Sequence, residues 1–176
     1  MIKKIVVFDF DGTLFHTPLP EEGKKIWKDR TGTEFPYTGW WSKKETLDLN
    51  IFHIPLNGFV YKEYKKFLND DNTLVVLATG RLQKLKNEVE KVLNHNNLNF
   101  DIVACNTGGD TYHFKTKLFE DLIKKYKPSE LIMYDDRHEH LTQFEIWARF
   151  QPCQISIIDV MKFNKVPKII NPIKNN

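Results

Sequence analysis

The stretch Ile5-Val6-Val7-Phe8-Asp9-Phe10-Asp11-Gly12-Thr13 decides the reading of this chain. Its first half, within the run Ile5–Phe10, is short, β-branched or aromatic and nearly continuous, the pattern of a strand buried on both faces of a parallel sheet. Two carboxylates separated by one residue close it. Alternate residues of a strand point to the same side, so Asp9 and Asp11 are expected to project together at its carboxyl end. Held close, they repel and desolvate each other unless a cation neutralises them. Hard oxygen ligands of this kind suit Mg²⁺, which keeps several waters and shares its site with substrate phosphate. Gly12 lets the chain turn away abruptly. A bare D-x-D is usually a pair of solvated aspartates; the buried strand before it and Gly-Thr after it favour the metal reading.

Four more runs of strand length follow: Leu74–Ala78, Asp101–Ala104, Leu131–Asp135 and Ile155–Asp159. Helical stripes lie between them. One crosses 58–69 through Phe59, Val60, Tyr64, Phe67 and Leu68, and a second is Leu82, Leu85, Val89, Val92 and Leu93. A third, Leu118, Phe119, Leu122, Ile123 and Tyr126, is stopped by Pro128, and a fourth is Leu141, Phe144, Trp147 and Ala148. Strands alternating with helices predict a single α/β domain over 1–176, a three-layer Rossmann-like parallel sheet.

Residues 14–57 form a loop-rich insertion after the first strand. They are studded with Pro and Gly and hold three of the four tryptophans, Trp27, Trp40 and Trp41. A long connection with its own aromatic cluster reads as a lid or binding loop. It is expected to hang over the carboxyl end of the first strand, where ligands bind in open α/β sheets.

Three further clusters fall at strand ends. Thr79-Gly80-Arg81 follows Leu74–Ala78 and is read as opening a helix; a hydroxyl, a free backbone N–H and a guanidinium suit a phosphate. Lys115 and Lys117 are placed just before the helix at 118–126. Asp135-Asp136-Arg137 ends the strand at 131–135 and adds metal ligands beside the first strand. Each signal alone is weak, with an N-cap or a solvated charge as the plain alternative. In this order, always at strand carboxyl ends, they are strong.

This ordered set resembles the haloacid dehalogenase-like (HAD) phosphohydrolase superfamily. Its D-x-D-x-T motif matches Asp9, Asp11 and Thr13, its second motif Thr79, its third Lys115 or Lys117, and its acidic fourth motif Asp135 and Asp136. The strings FDFDGTLFHTPLP, GWW at 39–41, TGR at 79–81, TYHFK at 111–115 and YDDRHEH at 134–140 are similar to the Swiss-army-knife RNA-repair-type branch, and the F-K string favours Lys115. Asp135 stands where that branch has Glu, which leaves the metal duty open between Asp135 and Asp136. The resemblance implies that Asp9 attacks phosphorus and forms an aspartyl-phosphate, with Asp11 as proton donor and acceptor. It implies Mg²⁺ on Asp9, the main-chain carbonyl of Asp11, and Asp135 with or without Asp136. Thr79 and Lys115 would hold phosphoryl oxygens.

For the substrate, the expectation is a nucleic-acid end phosphate, RNA or DNA. Trp40 and Trp41 are the candidates to stack on bases, although adjacent tryptophans cannot both face one side and the cluster also reads as the insertion's own core. Gly80, Arg81 and Arg137 are the candidates for further phosphate contacts. The alternatives are a phosphatase of small phosphometabolites or nucleotides, and a non-catalytic nucleic-acid-binding module of the same fold. An open basic groove at the insertion would favour a polynucleotide, a closed pocket a metabolite.

Composition bounds the rest. The chain has 176 residues, 41% hydrophobic and 28% charged, which disfavours disorder, repeats and coiled coils. Its net charge of +3 is compatible with an anionic ligand without requiring one. Two cysteines, Cys105 and Cys153, give no disulfide framework or zinc cluster and read as buried thiols of a reducing compartment. Lys3 and Lys4 before an apolar run imitate a secretory signal, but Asp9 and Asp11 interrupt it too early. With no membrane span, a soluble intracellular or cytoplasmic protein is expected. Residues 162–176 carry Lys162, Lys165, Lys168 and Lys174 with no acid, and read as a basic surface-wrapping or loose tail.

Overall fold

The computed structural model describes residues 1–162 and 165–172. A six-stranded sheet runs through it in the order β3-β2-β1-β4-β5-β6, built from β1 (Lys4–Phe8), β2 (Thr73–Leu82), β3 (Ile102–Asn106), β4 (Glu130–Asp135), β5 (Gln154–Asp159) and β6 (Lys168–Ile170). The first five strands are parallel, and β6 pairs antiparallel with β5. Along β1, Val6 and Phe8 face one core, which takes in Val60 and Tyr64 of α2 (Gly58–Lys65) and Val89 and Val92 of α3 (Lys86–His95). Ile5 and Val7 face the other, made with Phe119 and Leu122 of α4 (Thr111–Tyr126) and Phe144 and Trp147 of α5 (His138–Ala148). Burial on both faces is why these strands read as unbroken apolar runs, and each large side chain removed from water contributes about 1.5–3 kcal/mol. This is the three-layer α/β architecture expected from the sequence.

Four local expectations need correction. The strand β1 ends at Phe8 rather than Phe10. Asp9 N still donates to Tyr134 O, and then Leu14 N and Phe15 N turn back onto Asp9 O and Phe10 O. Gly12 has φ +71°, and a Cβ there would lie 2.3 Å from Asp136 Oδ2, so glycine is required twice over. The Thr79-Gly80-Arg81 segment does not open a helix: β2 runs on to Leu82 through a register shift against β3, and residues 83–85 form a 3₁₀ turn before α3.

Helix α4 begins at Thr111, about two turns before the expected start, so Lys115 and Lys117 sit on it rather than before it. Asp110 caps it by accepting from His113 N, and because the first buried positions on the helix are the polar Lys115 and Thr116, an apolar-period search passes over this start. The 162–176 segment is not merely a tail, because Lys168–Ile170 adds the antiparallel edge strand. Lys168 pairs with Glu145, and Lys162 lies 3.8 Å from Asp159. Lys174 lies outside the described residues.

The insertion holds a helix that its composition concealed, α1 (Pro20–Thr31), with Pro20 opening it and Glu21 and Glu22 in its first turn. Gly23 lies so close to Trp40 that a Cβ would stand 2.1 Å from the indole. Trp40 is buried among Phe35 and Phe52, with ring centroids 5.0 and 5.7 Å away, and its Nε1 donates to Pro18 O. Among the described residues, no helix is long and apolar enough to cross a membrane.

Candidate active site

Three parallel strands and one helix deliver side chains to one end of the sheet. Asp9 follows β1, Thr79 lies near the end of β2, Asp135 closes β4, and Lys115 reaches in from α4, the helix between β3 and β4. Lys115 Nζ lies 2.9 Å from Asp9 Oδ1 and 2.6 Å from Asp135 Oδ2, with all three side chains buried. Lys117, two residues on, is exposed and paired with Asp121. Geometry thus separates the two lysines that the sequence left open.

Asp136 stands beside them. It lies at the back of Gly12 and 3.3 Å from the Thr13 hydroxyl, which donates to its Oδ1. Asp9, Asp135 and Asp136 each offer an oxygen within 4.8 Å of the others.

Three carboxylates against one ammonium leave an excess of buried negative charge. Burial pushes Asp9 up to about 7, with Lys115 opposing the rise and Asp135 and Asp136 adding to it. Asp136 is raised by burial and then by the charge of Asp135. Burial works to lower Lys115, but Asp135 and Asp9 together hold its ammonium above the usual lysine value. The observation that tests a cation here is this donor set: clustered hard oxygens, short of positive charge, at the mouth of a parallel sheet. It fits Mg²⁺.

Asp11 is not part of the carboxylate cluster, contrary to the picture of two aspartates projecting together. Its carboxylate takes a two-pronged bond from Arg81, Nε to Oδ2 at 2.9 Å and Nη2 to Oδ1 at 2.8 Å. The D-x-D pair therefore divides, because the chain turns at Gly12 after the strand has ended. Asp9 faces lysine and acids, while Asp11 faces arginine.

Arg81 itself is buried, with only 1% of its side chain exposed. It was expected as a phosphate contact; most of its donors are instead committed inside the protein. Nη1 donates to Trp41 O at 3.0 Å and to Thr46 Oγ1 at 2.7 Å. The Thr79 hydroxyl accepts from Arg81 N at 3.1 Å, and Gly80 packs against Thr111.

Of the two tryptophans, Trp40 has no open face for a base and belongs to the insertion's core, which corrects its candidacy as a stacking residue. Trp41 is 37% exposed and lies over the Arg81 guanidinium at 5.0 Å. Arg137 is exposed at the start of α5, its N–H donating to Asp135 Oδ1. The open groove between the insertion and α3, about 630 Å³, carries Lys44, Lys91 and His95 but also Glu45, Asp48 and Glu88, so it is not a uniformly basic track. Thr46 was missed in the sequence. Nothing in Lys43-Lys44-Glu45-Thr46-Leu47 marks one threonine as a partner of an arginine 35 residues away.

An uncharacterised Saccharomyces cerevisiae protein, YMR265C, is 27% identical over 169 residues, covering 82% of this chain and 36% of the yeast protein. Two solved structures share the fold. A chain in the Pnkp1/Rnl/Hen1 complex has a TM-score of 0.57 at 21% identity, covering 92% of this chain and 48% of its own length. A chain in the Pnkp1/Rnl/Hen1 RNA repair complex has a TM-score of 0.55 at 22% identity, covering 91% and 44%. The chain thus spans less than half the length of each of these relatives. A family profile matches residues 17–174, and on that match the chain belongs to HAD domain family 1 of the Swiss Army Knife RNA repair proteins.

Proposed function

We propose that this chain is a Mg²⁺-dependent phosphatase that removes a nucleic-acid end phosphate through an aspartyl-phosphate on Asp9. The observation that carries the proposal is buried Asp9, gripped by Lys115 and clustered with Asp135 and Asp136 at the carboxyl end of the sheet. Asp9, Asp135 and Asp136 would hold Mg²⁺, with the Asp11 carbonyl as a further oxygen, and the ion supplies Lewis-acid neutralisation of phosphoryl charge.

The chain's own groups do the rest. Lys115 orients Asp9 and offsets the charge that develops on the phosphoryl oxygens. An Asp9 oxygen bonds to phosphorus while the bond to the leaving oxygen breaks, and Asp11, entering the cycle protonated, gives its proton to that oxygen. Because Arg81 occupies both Asp11 oxygens, Asp11 must exchange one of those bonds when substrate enters. Water then bonds to phosphorus, Asp11 takes its proton, and the acyl phosphate bond breaks to restore Asp9 and release phosphate. The Thr79 oxygen accepts from Arg81 N, which leaves its O–H to donate to a phosphoryl oxygen.

Two observations support a polynucleotide. The family is that of RNA repair proteins, and the exposed Trp41 ring over Arg81 offers a stacking face beside the site. The test is phosphate release with Mg²⁺ or EDTA from an aryl phosphate, a nucleoside monophosphate and oligonucleotides carrying a 3′- or 5′-phosphate, each with wild type and Asp9→Asn. Metal-dependent turnover of one oligonucleotide end, lost in the variant, is expected. Turnover of the small substrates alone would make it a metabolite or nucleotide phosphatase. No turnover by a folded, Mg²⁺-binding protein would make it a binding module.

A further inference from the structure

We propose that Thr46, in the insertion, is a positioning residue that sets the Arg81 guanidinium on Asp11. This rests on the phosphatase reading for its kinetic consequence. Thr46 lies in the short 3₁₀ turn Lys44–Leu47 and is 1% exposed. Its hydroxyl donates to Lys43 O at 2.7 Å, so its one proton is committed and its oxygen faces Arg81 as an acceptor. Arg81 Nη1 meets that oxygen at 2.7 Å and the Trp41 carbonyl at 3.0 Å.

A guanidinium is planar with five N–H bonds in fixed directions. Two acceptors on Nη1 therefore fix the rotation of the plane, and with it the Nε and Nη2 donors that meet Asp11. The insertion thus reaches the D-x-D motif through Arg81. Through one hydroxyl and one carbonyl it aims the arginine that holds the proton-carrying aspartate.

The test compares Thr46→Val, which keeps the shape and removes the acceptor, with Thr46→Ser, which keeps it. Thr46→Val is expected to lower kcat about 10–100-fold with KM changed far less, the scale of one lost hydrogen bond to a charged group. Thr46→Ser is expected to stay within about threefold of wild type. In an Arg81→Ala background, adding Thr46→Val should cost little more, since the group it positions is gone. A full, additive loss in that background, or a fall in melting temperature with unchanged kcat, would overturn the proposal.

Nitrogen-15 NMR of the Arg81 Nε–H signal gives a readout that does not need turnover. It should shift or broaden in Thr46→Val and return in Thr46→Ser; an unmoved signal in Thr46→Val would overturn the positioning claim. If wild type turns over no phosphate ester while the signal behaves as described, the phosphatase reading fails and the positioning of Arg81 stands.

Discussion

Lys115 carries the electrostatic balance of the site. It is the buried cation against Asp9 and Asp135, and Asp136 stands within the same cluster. Replacing it by Met would keep much of the volume and strand three carboxylates in a buried place. Removing one partner of such a network typically costs about 3–5 kcal/mol. Lys115→Met is therefore expected to lower urea stability by roughly that amount without metal, and to recover part of the loss in Mg²⁺. A variant as stable as wild type without metal would contradict this balance. At this scale the sequence reveals the acids and Lys115, because each sits at a strand end or in the F-K string. It hides the division of labour between Asp9 and Asp11. That depends on Arg81, 70 residues from Asp11, and on Thr46, contacts with no local signature.

Among the elements, the insertion separates the two adjacent tryptophans. Trp40 is pinned between α1 and the aromatic residues of 35–52, and its truncation is expected to cost about 3–5 kcal/mol as a large cavity. Trp41→Ala is expected to cost less than about 1 kcal/mol in stability and to weaken oligonucleotide affinity by about 1–3 kcal/mol, the worth of one base–aromatic stack. Chemical denaturation and fluorescence titration separate the two effects. Weakened oligonucleotide affinity of folded Trp40→Ala, with Trp41→Ala unaffected, would reverse the assignment.

The elements the sequence obscured have physical causes too. Helix α1 packs on the core through Gly23, Ile26 and Trp27, a single short patch among polar residues, so no apolar stripe over several turns announces it. The start of α4 rests on the Asp110 cap, and its first buried positions are the polar Lys115 and Thr116. The strand β6 is three residues at an exposed edge, two of them a lysine and an exposed isoleucine, which carries no burial pattern to read. The central strands were legible because a parallel sheet covered on both faces demands unbroken apolar runs.

For the whole molecule, the acidic cluster links stability to pH and metal. Asp9 is lifted by burial to about 7, above its ordinary 3.8, so the folded chain binds a proton there that the unfolded chain releases. Stability from that proton is fully present below pH 3.8 and is lost as pH rises through about 7. Mg²⁺ competes with the same proton, and the rise in melting temperature it produces should be larger at pH 8 than at pH 5. Scanning calorimetry at both pH values, with Mg²⁺ and with EDTA, checks this. An equal rise at both would place the ion elsewhere.

The phosphatase reading rests on covalent phosphorylation of Asp9. The most direct measurement mixes the protein and Mg²⁺ with the turned-over phosphate ester, quenches in acid during the steady state, and reduces the product with borohydride. An aspartyl-phosphate is an activated acyl group and is reduced to homoserine, whereas a free carboxylate is not. Peptide mass spectrometry should then find homoserine at position 9 and aspartate at position 11, with no reduction in Asp9→Asn. Continued turnover with position 9 unreduced, or homoserine at position 11 instead, would contradict the account.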